Sequence, residues 1–331
     1  MAPLKGCPVP RLSIVIPALH STELLESGLL SVLENRPADT EILVVNGCGY
    51  QDPYELAGEV RFLTPPKKAG LVASLNAALA ETNGKVVHLL ECGARVTPGW
   101  TDAALAHFAD PRTALVAPLI ATSILAQPCV VSAGLDYHAG GAVICRGARS
   151  ETDRHLQAQA VLGCSIRAGF LRREALERVG MFDASMVPDL ADVELALRIR
   201  AAGGQAIFEP NSQVTLASEG DARGLWGEFQ YGRSVERLFW RSAKAAGWLR
   251  ALSSHPFVAG YESLRRLGKG RMALHVAGRM WGCLEWGDIV AHQGRMAELA
   301  DERPLEAPTL RLAEHDDECN VPPRQQVRRA G

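Results

Sequence analysis

The chain has 331 residues, of which 47% are hydrophobic and 22% are charged. These values exclude a disordered chain and a collagen-like fibre, and the length admits one large α/β domain with an appendage or two modest domains. Because 35 Lys and Arg residues nearly balance 37 Asp and Glu residues, for a net charge of -2, we expect no nucleic-acid partner.

The cysteine pattern and the lack of long apolar segments bear on the compartment. The eight cysteines include no C-x-x-C pair, which favours reduced thiols over a disulfide framework. The first residues lack the apolar stretch of a signal peptide, and no later segment reaches the roughly 18 apolar residues of a membrane span. The sequence therefore predicts a cytoplasmic protein.

Short apolar runs that end in proline or a turn dipeptide predict strands buried on both faces. The predicted strands are residues 12–17, 40–45, 61–63, 85–90, 114–119 and 205–210. Apolar residues at helical spacing predict helices at 22–35, 71–81, 99–108, 171–179 and 191–202. This alternation favours an α/β fold with a mainly parallel open sheet flanked by helices.

The composition changes beyond about residue 220. Between residues 223 and 279 the chain has eleven Lys and Arg residues against three Glu, which gives this stretch a charge of about +8, and it is rich in aromatic residues. We predict an N-terminal arm (1–10), an α/β domain (11–219), a basic and aromatic helical extension (220–300) and a poorly ordered tail (301–331).

Residues that follow the strands are the first candidates for a ligand site, because an open α/β sheet binds ligands beyond the carboxyl ends of its strands. They include Pro17, Ala18 and Leu19 after the first strand, Asn46 after the second and Glu91 after the fourth. Neither G-x-G-x-x-G after the first strand nor G-x-x-x-x-G-K-[ST] occurs, which argues against a dehydrogenase and a P-loop NTPase.

Several motifs in order resemble the family-2 glycosyltransferases with the GT-A fold. The donor-side motifs are SIVIPA (13–18), EILVV (41–45) and ASLNAALA (73–80). The acceptor-side motifs are GCS (163–165), LRREAL (171–176), VGMFD (179–183) and DVELALRIRAAG (192–203). The resemblance implies inverting transfer of a sugar from a nucleotide-diphosphate sugar to an acceptor hydroxyl, on a glycan or a lipid-linked glycan. It also implies a base and ribose pocket, a divalent cation and a carboxylate base.

The resemblance places donor contacts at the strand ends and on the second helix. The implied donor-binding residues are Pro17, Ala18, Leu19, Asn46, Asn76, Glu91 and Arg233. An Asn-Gly pair stands where family members carry an acidic pair, so Asn46 is either a donor contact or a turn residue.

The metal motif departs from the family pattern. The D-x-D motif is replaced by Glu91-Cys92-Gly93, which leaves Glu91 as the candidate ligand of Mg²⁺ or Mn²⁺ and removes the second carboxylate. The alternative for Glu91 is an ordinary polar residue at a strand end. A histidine that many members carry after the last strand is also missing.

Asp192 matches the catalytic aspartate of the family's E-D pair, which reads Ala191-Asp192 here. The sequence predicts it at the N-terminal end of a helix, where the helix dipole favours the ionised form. Its alternative role is a helix cap, and Asp189 is the nearest substitute as catalytic base.

The basic extension has three interpretations. Arg233 and Arg237 can pair with a diphosphate or an anionic acceptor, because guanidinium binds phosphate oxygens in a bidentate manner. The helices can instead pack on the core with a solvated basic face. A third interpretation is peripheral attachment to an anionic membrane leaflet on the cytoplasmic side.

Three functions remain open from the sequence. The first is an active glycosyltransferase with Asp192 as base and Glu91 on a cation. The second is a catalytically degenerate relative that binds a nucleotide sugar or a partner. A nucleotidyltransferase is third, because the glycine-rich basic loop expected after its first strand is absent.

Overall fold

The computed structural model describes residues 11–124, 127–148, 150, 157–217, 223–267 and 270–301. The predicted N-terminal arm (1–10) and the tail from residue 302 onward lie outside this range. The strands are β1 (Leu12–Ala18), β2 (Thr40–Asn46), β3 (Val60–Leu63), β4 (Val86–Leu89), β5 (Arg95–Val96), β6 (Thr113–Ile124), β7 (Gln127–Ser132), β8 (Leu135–Tyr137), β9 (Val143–Cys145), β10 (Gln159–Val161), β11 (Phe170–Arg172) and β12 (Gln205–Leu216). The helices are α1 (Thr22–Asn35), α2 (Leu71–Ala80), α3 (Trp100–Ala106), α4 (Arg173–Val179), α5 (Pro188–Ala201), α6 (Leu225–Ala246), α7 (Trp248–Leu264), α8 (Arg271–Leu284) and α9 (Trp286–Asp301).

One large sheet organises the first two thirds of the chain. Its strands follow the order β10-β12-β6-β11-β4-β1-β2-β3, with β5 beside β12 and β7 beside β6. The pairs β1–β2, β1–β4, β2–β3 and β6–β12 are parallel, whereas β11 lies antiparallel between β4 and β6. The predicted α/β fold with an open sheet flanked by helices is therefore confirmed, and the sheet is mixed, since its described strands form four parallel and five antiparallel pairs.

Alternating side chains of the central strands fill a separate core on each face of the sheet. Ile14 and Ile16 pack on the side of α1 and α3, with Leu25 and Trp100. Val15 points the other way, into a larger core with residues of α2, α4 and α5. Both faces of β1 are buried, which is why its sequence is a continuous apolar run.

Two predicted helices have different bounds in the structure. The segment 171–179 begins as strand β11 and becomes helical only at Arg173, because its first residues pair with both β4 and β6. The segment 191–202 begins a turn earlier than predicted, at Pro188, which suits the first turn of a helix because proline has no N–H to satisfy there. Asp192 is therefore in the second turn, and a capping role for it is wrong.

The C-terminal helices pack on the α/β domain through α6. Gly232 of α6 and Gly278 of α8 allow close approach, since an added Cβ at either would lie 2.1 Å from a carbonyl oxygen of the other helix. Buried Arg241 of α6 donates to Asp183 (2.8 Å) before α5 and to Asp288 (2.6 Å) of α9. Within the described ranges no helix has the length and apolarity needed to cross a bilayer.

Candidate active site

The carboxyl ends of β1, β2 and β4 meet at one edge of the sheet because these strands are parallel neighbours. Pro17 and Ala18 end β1 there, and Leu19 follows. The Ala18 carbonyl accepts hydrogen bonds from the N–H groups of Gly47 (2.8 Å) and Cys48 (2.9 Å), which ties the two strand-end loops together. These predicted donor contacts thus lie where open α/β sheets bind ligands, and their role stays a prediction.

The side-chain amides of Asn46 and Asn76 both hold backbone segments in place. Asn46 donates to the Tyr50 carbonyl (2.7 Å) and accepts from the Tyr50 N–H (2.8 Å), which shapes the loop after β2. Asn76 of α2 makes the same pair of bonds with Phe182, at 2.8 and 3.1 Å. If either side-chain amide also contacts the nucleotide sugar, it does so with atoms that already form hydrogen bonds to the backbone.

Glu91 is held by an arginine from the antiparallel segment beside β4. The Glu91 N–H donates to the Arg167 carbonyl (2.7 Å), which aligns the two residues across the sheet edge. The Arg167 guanidinium donates from Nη2 to Oε1 of Glu91 (2.9 Å) and from Nε to Oε2. Both carboxylate oxygens of Glu91 therefore accept from one guanidinium in a bidentate ion pair.

Gly93 takes a backbone conformation that disfavours a carboxylate at this position. Its φ is +84°, in the left-handed region, and a Cβ would lie 3.0 Å from the Leu24 side chain of α1. An aspartate at position 93 would have a strained backbone, and its Cβ would crowd the Leu24 side chain of α1.

The residues at this edge do not fit a resident Mg²⁺ or Mn²⁺ ion. The oxygens of Glu91 are occupied by Arg167, and Gly93 offers no side-chain ligand. Across the ranges that the structure describes, no group of three or more His, Cys, Asp and Glu side chains is arranged to hold a metal. Mg²⁺ at such sites needs at least one protein carboxylate besides waters and substrate phosphates, and the one carboxylate of this edge is already paired with Arg167.

Asp192 is a buried carboxylate on α5, only 6% exposed. Its Oδ2 accepts from the Ile166 N–H (3.1 Å) and its Oδ1 from the Val193 N–H (2.8 Å). Burial raises the pKa of Asp192 to about 7, because these hydrogen bonds only partly offset desolvation, and the Asp189 charge adds to the rise. The pocket around this carboxylate has no space for a water molecule.

Asp189, the substitute base of the sequence analysis, is in the first turn of α5. Its carboxylate is half exposed and paired with Arg223. Asp192 accepts from the N–H of Ile166, the residue before Arg167, and Asp189 is on the same helix, so the structure brings both candidate bases and the Glu91–Arg167 pair into one neighbourhood.

Arg233 and Arg237 bind acidic residues of the C-terminal helices. Arg233 donates from Nε to Glu285 (2.7 Å), and Arg237 donates to Asp288 (2.9 Å) and to the Ser185 hydroxyl (3.0 Å). These contacts agree with the packing interpretation of the basic extension. A role of Arg233 in donor binding stays a prediction.

Arg167 is the residue of this site that the sequence analysis missed. It lies 76 positions from Glu91, between the motifs at 163–165 and 171–176. Only the antiparallel pairing of the 167–172 segment with β4 brings the guanidinium to the strand end. No local sequence signal could have indicated this pairing.

Comparison with known proteins gives a family. The family model for glycosyl transferase family 2 matches residues 13–179, half of the 331-residue chain. The chain is 29% identical over 157 residues to the pre-mycofactocin glycosyltransferases of the Mycobacterium tuberculosis strains CDC 1551 / Oshkosh and ATCC 25618 / H37Rv. That match covers 47% of this chain and 32% of those proteins, so the chain spans about a third of the length of these curated relatives.

A solved structure of a glycosyltransferase shares the fold. A crystal structure of GalNAc-T7 with UDP, GalNAc and Mn²⁺ superimposes with a TM-score of 0.56 at 17% identity, over 86% of this chain and 58% of that one. A complex of the mannosyltransferase PcManGT from Pyrobaculum calidifontis with GDP-Man and Mn²⁺ gives a TM-score of 0.49 at 17% identity, over 88% and 87%. The predicted GT-A-like architecture with C-terminal helices is confirmed, and the chain belongs to glycosyl transferase family 2.

Proposed function

We propose that this chain is an inverting glycosyltransferase that moves a sugar from a nucleotide-diphosphate sugar to a hydroxyl of a glycan or a lipid-linked glycan. The observation that carries the proposal is Asp192. A buried aspartate with a pKa raised to about 7 is suited to general-base catalysis, because a base works best when its pKa lies near the operating pH.

In the proposed reaction the Asp192 carboxylate takes the proton of the acceptor hydroxyl. The acceptor oxygen forms a bond to the anomeric carbon as the bond from that carbon to the diphosphate breaks, and the nucleoside diphosphate leaves with the electron pair. A single displacement of this kind inverts the anomeric configuration. Because Asp192 now faces the Ile166 N–H in a closed pocket, acceptor binding has to move the 165–166 segment.

The leaving diphosphate carries negative charge that a cationic group has to neutralise. The side chains at the strand ends do not offer the oxygen ligands of a resident metal ion. Arg167 supplies a planar guanidinium at the strand ends, suited to bidentate binding of phosphate oxygens. We therefore assign the diphosphate to Arg167, with Glu91 as the group that holds the guanidinium in place before the donor arrives. Donor binding is expected to depend little on divalent cations.

A catalytically degenerate binding module is the second candidate. The closed pocket at Asp192 and the occupied carboxylate of Glu91 favour it. Such a protein would bind a nucleotide sugar or a partner and leave the donor intact.

Thermal unfolding against UDP, GDP, TDP and CDP, each with and without Mn²⁺, tests donor binding. A ligand that binds the native state raises the melting temperature by mass action. A shift with one nucleotide, followed by sugar transfer from its nucleotide sugar, supports the proposal. Binding without turnover of any donor favours the degenerate module, and a shift that requires Mn²⁺ contradicts the assignment of the diphosphate to Arg167.

A further inference from the structure

The outward sides of α7 and α8 form an exposed apolar surface, which we name the α7–α8 face. Its residues are Leu249, Leu252, Phe257, Tyr261 and Leu264 of α7 and Ala273, Val276, Ala277, Met280, Trp281 and Leu284 of α8. On α8 the exposed apolar residues are spaced three or four positions apart, so they lie on one side of the helix. None of them carries a charge.

The opposite sides of the two helices already have partners. His255 of α7 (3.0 Å) and Arg279 of α8 (2.7 Å) both bind the buried Glu236 carboxylate of α6. Gly278 and Gly282 bring the α8 backbone against α6. The α7–α8 face is therefore not needed for packing within the described chain and points away from the domain.

The exposure of this face is large for side chains of this size. Leu249 is 89% exposed, Phe257 80%, Leu284 78% and Met280 67%. Exposed apolar side chains grouped on the outward sides of two neighbouring helices are typical of a contact with a partner or a membrane. Trp281 and Trp286, each 54% exposed, place indole rings at the end of α8 and the start of α9.

The exposed charges beside the face are mainly positive. Residues 237–284 contain nine Lys and Arg residues and a single acidic residue, Glu262. Glu262 is paired with Arg266 at 2.7 Å on the inner side of α7. Lys244, Arg250 and Arg265 are exposed beside the apolar residues.

We propose that the α7–α8 face docks on an anionic lipid leaflet, with both helices in the interfacial plane. An apolar helix side with exposed cations and tryptophans matches the chemistry of such a surface, in which acyl chains lie below anionic headgroups. A second copy of the chain would instead bring two strongly basic segments together.

Co-sedimentation with vesicles tests the proposal on the whole chain. The wild type is expected to sediment with vesicles of phosphatidylcholine and phosphatidylglycerol in equal parts, weakly with phosphatidylcholine alone, and less at high salt. The triple variant Met280→Gln, Trp281→Gln, Leu284→Gln should lower the partition coefficient by about a hundredfold, since each side chain loses apolar burial. Replacing Lys244, Arg250 and Arg265 by Gln should reduce it by about fivefold per residue, on anionic vesicles alone.

The matched control is Leu30→Gln with Ile144→Gln, two side chains on the α/β domain that are 59% and 46% exposed. It should bind vesicles as the wild type does, and melting curves check that all variants fold. Wild-type protein that stays in solution with anionic vesicles overturns the proposal. A stable dimer by light scattering, which the triple variant converts to a monomer without any lipid binding, also overturns it and assigns the face to self-association.

Discussion

Carboxylate–arginine pairs occur both at the strand-end site and between the C-terminal helices, and their burial differs. The side chains of Glu91 and Arg167 are 31% and 20% exposed. Arg241, which binds Asp183 and Asp288, is 1% exposed. A part-exposed pair can exchange its carboxylate for a ligand oxygen in contact with water, whereas opening a buried pair leaves uncompensated charge inside the protein. The Glu91–Arg167 ion pair is therefore available for ligand binding, whereas the ion pairs of Arg241 hold the C-terminal helices in place.

The largest expected effect concerns the base of the strand-end site. Asp192→Asn should lower the rate of sugar transfer by about 10²–10⁴-fold, the usual contribution of a general base, and leave the nucleotide-induced thermal shift in place. The wild-type rate should fall below pH 7, because the pKa of Asp192 is raised to about 7 and only the ionised form accepts a proton. Full activity of Asp192→Asn, or a wild-type rate that falls only near pH 4, would contradict the role of Asp192 as base. Asp189→Asn is the matched control and should keep most of the transfer activity.

Arg241→Ala tests how much the ion pairs of this buried arginine stabilise the protein. Removing this guanidinium takes away the partner that Asp183 and Asp288 share, although Asp288 keeps Arg237, so the free energy of unfolding should drop by about 1.5–3 kcal/mol, the contribution of hydrogen bonds to charged groups. Urea unfolding measures the change. Arg112→Ala, which breaks the exposed pair with Asp110, should leave the unfolding midpoint unchanged. Equal effects of the two variants would remove the distinction between buried and exposed pairs.

Arg167→Ala sharpens the comparison at the exposed pair. We expect a loss of stability below about 1 kcal/mol, as for other solvent-accessible pairs. Nucleoside-diphosphate affinity should nevertheless fall by about tenfold or more, since a charge-assisted hydrogen bond contributes about 1.5–3 kcal/mol. Titration calorimetry with the nucleotide found by thermal shift gives the affinity. A stability loss like that of Arg241→Ala, with affinity unchanged, would make Arg167 a structural residue.

A pH dependence of stability is expected from the C-terminal helices. His275 of α8 is fully buried, and neither ring nitrogen has a hydrogen-bond partner in the described structure. Burial, with the nearby cations Arg266 and Arg279, lowers the pKa of His275 from 6.5 to about 4. The unfolded chain therefore binds the proton first, and the folded state loses about 1.4 kcal/mol per pH unit as pH falls from 6.5 towards 4.

His275→Leu should remove that dependence. The free energy of unfolding of the variant minus that of the wild type should increase as the pH is lowered from 7 to 5. Urea unfolding of both proteins at pH 7 and pH 5 measures this difference. A constant difference between the two proteins would show that His275 does not stay neutral in the fold.

The central strands β1, β2 and β4 were predictable because each is a short, mostly apolar run buried on both faces, and β1 and β2 were located within one residue at each end. Strand β11 was not, since Phe170–Arg172 reads as the start of a helix and becomes a strand only by pairing with β4 and β6. Strand β12 continues past Pro210 because a register shift between Glu209 and Gln213 accommodates it against β6.

The sequence alone determined the α/β class, the resemblance to the family and the candidate base Asp192, because these depend on local periodicity and on motifs in fixed order. Only the tertiary structure decided that Glu91 is bound by Arg167, that Asp192 is buried in a closed pocket, and that the apolar side of α8 faces outward. Each of these depends on which distant segments lie side by side. Residue periodicity indicates that a helix has an apolar side, but the packing of α8 against α6 through its glycines decides which side is covered.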